Sequence, residues 1–262
     1  MTDLKETVLY QKEENIAWIT FNRPEALNAL NTDVNLALID CLNRAEADQE
    51  VRVVILKGSG DKAFVAGADI KEMMSMSAME ARGFALKAKR VTDTIWNLKK
   101  PVIAAIQGFC LGGGLEYALA CDLRIASEQA TFSQSFAQVG LYPDFGATFF
   151  LPRLVGLSRA SELFYTAERL SAQEALRIGI LYGIFPSEQF EEEAAKLGQS
   201  LAAGPPIVCR DVKRTMIGEH HKELEDALDE EIRLQTHCFL TEDCAEGLAA
   251  FVEKRKPRFC GH

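Results

Sequence analysis

Apolar and polar positions change period several times along the chain, and each change marks an element. Residues 8–10 (VLY) and 16–21 (IAWITF) are short apolar runs either side of a polar turn, the pattern of two paired strands. From Pro24 or Glu25 to about Asp48, Leu27, Leu30, Val34, Leu36, Leu38, Ile39 and Leu42 supply apolar positions spaced as in a helix. That spacing predicts one long helix, with Pro24 in its first turn. Residues 51–57 (VRVVILK) form a strand pattern rich in β-branched side chains. The run AFVAGADIKEM, residues 63–73, predicts a short strand, a break at Gly67 and a helix opening near Asp69. A second long helix covers about 78–98, with Phe84, Ala85, Ala88, Val91, Ile95 and Trp96 on one face. Residues 101–107 (PVIAAIQ) read as a buried strand. They lead to Gly112, Gly113 and Gly114, then to a short, mostly apolar helix at 115–120 and a strand at 122–126.

The pattern then changes character. Residues 130–138 are short, polar and aromatic, and residues 139–156 are punctuated by Gly140, Pro143, Gly146 and Pro152, which predicts loop and short helix. From Ser158 the signal is helical, over about 158–167, 171–179, 188–203, 205–218, 221–236 and 242–254, with Ser171 and Glu174 matching a capping box. Strand–helix alternation up to about residue 155 predicts an α/β core. The helical last third predicts an appendage that covers something or mediates assembly.

Composition narrows the class. The 262 residues are 48% hydrophobic and 26% charged, with a mean hydropathy of −0.04, ample for a core. A net charge of −9 argues against a nucleic-acid or anionic-membrane binder, while leaving room for a small anion at a local basic patch. Seven cysteines without a C-x-x-C pair predict free thiols in a reducing compartment. The four histidines, His220, His221, His237 and His262, have no zinc-site spacing, so no metal is expected. The charged start, MTDLKETVLYQKEEN, has no apolar leader core, and no run approaches a membrane span. The expected location is the cytoplasm, or an organelle matrix after removal of a targeting segment.

The candidate chemistry lies where the strand–glycine–helix arrangement occurs twice. AFVAGADI turns at Ala66-Gly67-Ala68, and IQGFCLGGGLE turns at Gly112-Gly113-Gly114. Small residues there leave backbone N–H groups open, and two such groups on one oxygen make an oxyanion hole, worth about 2.7–4 kcal/mol per donor at a transition state. Neither turn has the spacing of a nucleotide phosphate cradle. Glu116 is the only charged residue between Lys100 and Asp122. In apolar surroundings its carboxyl would resist ionisation and suit acid–base work.

These residues carry a resemblance. AFVAGADIKEM with QGFCLGGGLEYALACDLRIAS resembles the crotonase, or enoyl-CoA hydratase/isomerase, superfamily. The likeness begins at WITFNRPEALNAL and runs through VRVVILKGSGDKAFVAGADI and GLYPDFGATFFLPRLVG to TEDCAEGLAAFVEKRKPRF. It implies an α/β fold of repeated ββα turns wound into a spiral, with a helical C-terminal region that trimerises. Residues 1–200 would be the core with the CoA site, and 201–262 the helical region. It implies an acyl-CoA thioester as substrate, with CoA arriving as part of it and no further cofactor, and a homotrimer or dimer of trimers. By position, Ala68 and Gly113 would supply the oxyanion N–H groups. Ala66, Gly67, Asp69 and Ile70 would line the CoA site with Leu27 nearby, and Lys254 in the basic tail would face the CoA phosphates.

Family hydratases usually employ two glutamates. Glu116 matches the first, but the second falls on Phe136, which transfers no proton. Asp144 matches a catalytic aspartate of some family isomerases, and its surroundings look most like the ring isomerase of phenylacetate degradation. The resemblance therefore implies an acyl-CoA isomerase in which Asp144 moves the proton and Glu116 assists. The alternatives are a 2-enoyl-CoA hydratase, an acyl-CoA hydrolase or decarboxylase, and a non-catalytic CoA-ester or RNA-binding relative.

Overall fold

The structure, a computed structural model, describes residues 6–218 and 220–260. The first five residues of the charged N-terminal stretch and His262 lie outside the described residues. A hairpin of β1 (Val8–Glu13) and β2 (Ile16–Phe21) leads through a 3-10 turn at Pro24–Ala26 to α1 (Thr32–Ala47). Then follow β3 (Val53–Gly58), β4 (Ala63–Val65), α2 (Ile70–Met73), α3 (Ala78–Asn97), β5 (Val102–Ile106), β6 (Phe109–Leu111) and α4 (Gly113–Ala120). Next come β7 (Leu123–Ser127), β8 (Thr131–Ser133), α5 (Ala147–Val155), α6 (Leu157–Thr166), β9 (Leu170–Ser171), α7 (Ala172–Arg177) and β10 (Gly183–Phe185). Four helices end the chain: α8 (Phe190–Ala202), α9 (Pro206–Gly218), α10 (His221–Cys238) and α11 (Glu242–Val252).

The strands sort into two sheets, ordered β1-β2-β3-β5-β7-β10 and β4-β6-β8-β9. In each of the pairs β3/β4, β5/β6 and β7/β8 the first strand joins the larger sheet and the second the smaller. Helical segments then carry the chain back, so it winds as the expected ββα spiral. Successive turns stack through the backbone: Phe109 N–H donates to Lys62 O (2.9 Å) and Thr131 N–H to Gly108 O (3.0 Å). Gly108, at φ +65°, sits where a Cβ would lie 2.1 Å from Lys62 O, so only glycine allows this stacking.

Strand alternation explains the apolar runs. Ala17, Ile19, Val54, Leu56, Val102, Ala104 and Ile106 point into the main core with α1, α3, α4 and α5. Ile16, Trp18, Val53, Ile55, Ile103 and Ala105 point to the opposite face, which Phe190 and Ala194 of α8 cover. A sheet buried on both faces needs continuous apolar strands, as here.

Two local expectations change. The helix expected from Pro24 or Glu25 starts only at Thr32, capped by Asn31, whose Oδ1 accepts Val34 N–H at 2.9 Å. Leu27 and Asn28 are left-handed, at φ +52° and +56°. The buried Asn28 side chain compensates: its Oδ1 accepts Arg23 N–H, and its Nδ2 donates to Ser59 O and Ala63 O. The bend brings residues 27–30 beside the Ala66–Asp69 turn. At α7, Ser171 Oγ accepts Glu174 N–H, but the Glu174 carboxylate turns to Arg177 and Arg159 and leaves the capping box half made. The short β9 and β10 carried no sequence signal. Among the described residues no cysteine is joined in a disulfide. Among the described residues no helix is long and apolar enough to cross a membrane.

Candidate active site

β4 and β6 are adjacent parallel strands, so the glycine turns that follow them end side by side. In the first turn Ala66 N–H donates to Leu27 O (3.1 Å), Leu30 N–H to Gly67 O (2.9 Å) and Asp69 N–H to Leu30 O (2.7 Å). These bonds straddle Ala68, whose own N–H is not spent on the backbone among the described residues. In the second turn Gly112 N–H donates to Ser133 O (2.9 Å), while Gly113, the first residue of α4, has an N–H with no backbone acceptor among the described residues. A Cβ on Gly112 would stand 3.9 Å from Gly67 Cα. Ala68 and Gly113 therefore offer free donors from touching turns.

Of the residues expected around CoA, Leu27 meets Ala66 through the backbone, and Gly67, Asp69 and Ile70 follow in the same turn and the start of α2. Asp69 is committed there: Oδ1 caps α2 by accepting Lys71 N–H, and Oδ2 pairs with Arg23 at 2.8 Å. Lys254 is exposed just past α11, left-handed at φ +55°.

α4 carries Glu116 inward, fully buried. It can approach the neighbouring strand because Gly114 lacks a side chain: a Cβ there would lie 2.3 Å from Val65 O. Glu116 Oε1 accepts the N–H groups of Phe145 (3.2 Å) and Ala147 (3.0 Å), while Oε2 is buried without a partner. Asp144, 3% exposed, lies in the loop before α5, next to Phe145. The Phe145 ring stacks on Tyr117 at 5.0 Å, and its carbonyl accepts the Thr92 hydroxyl at 2.8 Å. Phe136 faces the glycine turn, its Cζ 3.8 Å from where a Gly112 Cβ would be.

A third acid, which sequence reasoning missed, completes the cluster. Glu231 on α10 is buried, and its Oε2 and Oε1 accept the N–H groups of Gly146 (2.7 Å) and Thr148 (2.9 Å). The Thr148 hydroxyl also donates to it. Gln235, one turn on, accepts Tyr142 N–H at 3.0 Å. The signal was present: Leu224, Leu228, Glu231 and Gln235 share the buried face of α10, so a Glu and a Gln occupy core positions of its apolar stripe.

Burial dominates the electrostatics. It pushes the Glu116 carboxyl well above the usual carboxylate range, with the Glu231 and then the Asp144 charge adding to it, against the two amide donors. Asp144 is raised well above its ordinary value by burial and then by Glu231, while the Gln235 amide works in the opposite sense. Glu231 is raised by burial to about 7, held there by the Thr148 hydroxyl and the amides of Thr148 and Gly146. Among the described residues no group of three or more His, Cys, Asp or Glu is arranged to hold a metal ion. The arrangement can hold an oxyanion on two N–H groups and move protons beside it with acids whose ionisation burial opposes.

Comparison with known proteins follows the same lines. Residues 11–262 match the enoyl-CoA hydratase/isomerase family. A crotonyl-CoA hydratase of Syntrophomonas wolfei is 41% identical over 254 residues, 97% of this chain and 98% of that one. A short-chain-enoyl-CoA hydratase of Clostridium acetobutylicum is 41% identical over 249 residues, 95% of each. The crystal structure of an enoyl-CoA hydratase from Mycobacterium avium subsp. paratuberculosis superposes with a TM-score of 0.88 at 33% identity, over 97% of this chain and 98% of that one. The names of these relatives speak of hydration.

Proposed function

We propose, from the premise that this chain belongs to the enoyl-CoA hydratase/isomerase family, that it moves the double bond of an enoyl-CoA thioester. The thioester carbonyl acidifies the neighbouring C–H. The N–H groups of Ala68 and Gly113 hold the oxygen of the enolate that forms, and Asp144 takes the proton from one carbon and returns it to another. Glu116 serves as the second acid–base group. Leu27, Ala66, Gly67, Asp69 and Ile70 receive the CoA, with Lys254 towards its phosphates. On this reading CoA comes as part of the substrate. The chain works as a homotrimer or dimer of trimers, for which the exposed stripe Val208, Val212 and Met216 on α9 offers an apolar face.

One observation carries the choice of migration. Phe136 lies against the Gly112 turn, at the position where the water-adding members resembled above use a second glutamate. The acid that remains is Asp144, on the loop before α5. The second reading is addition of water to a 2-enoyl-CoA, and the names of the relatives favour it over migration. In that case Asp144 and Glu116 would share the work of the two glutamates.

Purified protein given a 3-enoyl-CoA and a 2-enoyl-CoA, with migration and water addition followed separately, distinguishes the two. Migration should be the faster process, and Phe136→Glu should raise the hydration-to-migration ratio. Fast hydration with negligible migration by the unaltered protein overturns the isomerase reading in favour of the hydratase.

A further inference from the structure

The proton-transfer scheme leaves Glu231 unused, although it is as deeply buried as the acids the scheme employs. Four successive N–H groups at the start of α5 are shared alternately by two carboxylates. Phe145 and Ala147 donate to Glu116, and Gly146 and Thr148 donate to Glu231. A helix N-terminus leaves such donors unpaired and favours negative charge. Glu231 gathers three donors over both oxygens, counting the Thr148 hydroxyl. Glu116 gathers two on one oxygen and leaves Oε2 buried and bare. Among interacting acids in one poorly solvated pocket, the best-solvated ionises first and raises the pH at which the others follow.

Among the described residues no cation pairs with the carboxyls of Glu116, Asp144 and Glu231. On α10, Asp229 pairs with Lys89 of α3 (2.6 Å), Glu223 with Arg153 of α5 (2.7 Å), and Glu230 with Arg233 of its own helix (2.6 Å), so these charges are matched at the surface. The other titratable groups that sense Asp144 or Glu231 are Tyr117 on α4, Tyr142 in the loop before α5, and Cys238 on α10.

We propose that Glu231 is a positioning residue. It anchors the peptide run that carries Asp144 and, by holding the negative charge of the cluster, sets the protonation state in which Asp144 and Glu116 meet the substrate. Seating of α10 and acid–base competence are then one event, because the group that tunes the acids rides on that helix. The catalytic consequence rests on the enoyl-CoA reading above; the coupling among the three acids does not.

The test titrates the carboxyls directly. With 13C in the aspartate carboxyls, Asp144 is assigned by the resonance missing in Asp144→Asn. In Glu231→Gln its midpoint should fall by about one pH unit or more, since a neighbouring like charge has gone. With 13C in the glutamate carboxyls, Thr148→Val should raise the Glu231 midpoint, because a donor to the carboxylate is lost. The acid limb of the migration rate should follow the Asp144 midpoint in Glu231→Gln, with KM little changed. A folded Glu231→Gln protein with an unmoved Asp144 midpoint overturns the proposal. If that variant does not fold, an unmoved Glu231 midpoint in Thr148→Val overturns it. If the Asp144 midpoint moves but the unaltered protein shows no migration, the functional reading falls and the coupling stands.

Discussion

Asp144 and Glu116 are both buried acids, but their surroundings give them different work. Glu116 Oε1 is tied to the first amides around α5, so the group is partly structural and cannot swing freely. Asp144 is met instead by the Gln235 side chain and its own backbone N–H, and on the migration reading it takes a proton at one carbon and releases it at another. Asp144→Asn should therefore lower the migration rate by roughly 10²–10⁴-fold with little change in KM, the range for loss of a positioned general base. Glu116→Gln keeps an oxygen for the two amides, so it should fold normally and lose less activity. Steady-state rates of the two variants on one 3-enoyl-CoA check this, and an unchanged rate in Asp144→Asn would remove it as the base. Phe136 was legible as a departure from the glutamate pattern. That its ring lies on the Gly112 turn was not, because residues 112 and 136 meet only once the spiral has closed.

Between residues 22 and 31 a strong helical period yielded to a bend. Leu27 and Asn28 hold left-handed geometry at some conformational cost, and the hydrogen bonds of the Asn28 side chain offset it. What the bend achieves is the straddling of Ala68 by Leu30, which leaves the Ala68 N–H open. Asn28→Ala would leave buried partners unsatisfied, at a cost of about 1–3 kcal/mol, and would loosen the turn from Ala66 to Asp69. A lower melting temperature together with a reduced kcat is the expected outcome. A melting temperature that falls while kcat is kept would mean that the bend serves folding alone.

Opposed proton linkages act on the molecule as a whole. Folding raises the Glu231 carboxyl from its ordinary 4.5 to about 7. The folded protein therefore keeps a proton that the unfolded chain gives up, and the stability linked to it is whole below about 4.5 and lost as pH climbs through about 7. The ion-paired surface acids act the other way. Arg255 lowers Glu246 to about 2, so its contribution is present above about 4.5 and lost as pH falls towards 2. Melting temperature should thus be highest in mildly acid solution and decline towards neutrality, and Glu231→Gln should flatten that decline. A melting temperature that climbs steadily from about pH 5 to 7 in the unaltered protein would contradict the linkage.

Apolar periodicity by itself determined the α/β core, the long α3, the two strand–glycine–helix turns and the helical ending. Those features follow from which faces of a local element must leave water. The two glycine motifs and Glu116 were legible for the same reason, since small residues and a lone acid stand out against apolar runs. Only the tertiary structure decided which distant groups share a pocket. The helix that periodicity predicts at residue 25 is displaced to Thr32 by contacts with Ser59 and Ala63. Glu231, some 115 residues from Glu116, reaches the alternate amides of the same peptide run because α10 packs back on α3 and α5. The charge state of a buried acid depends on neighbours that sequence distance does not reveal. The three carboxyls therefore became a single titrating unit only when the fold excluded water and left them to share its donors.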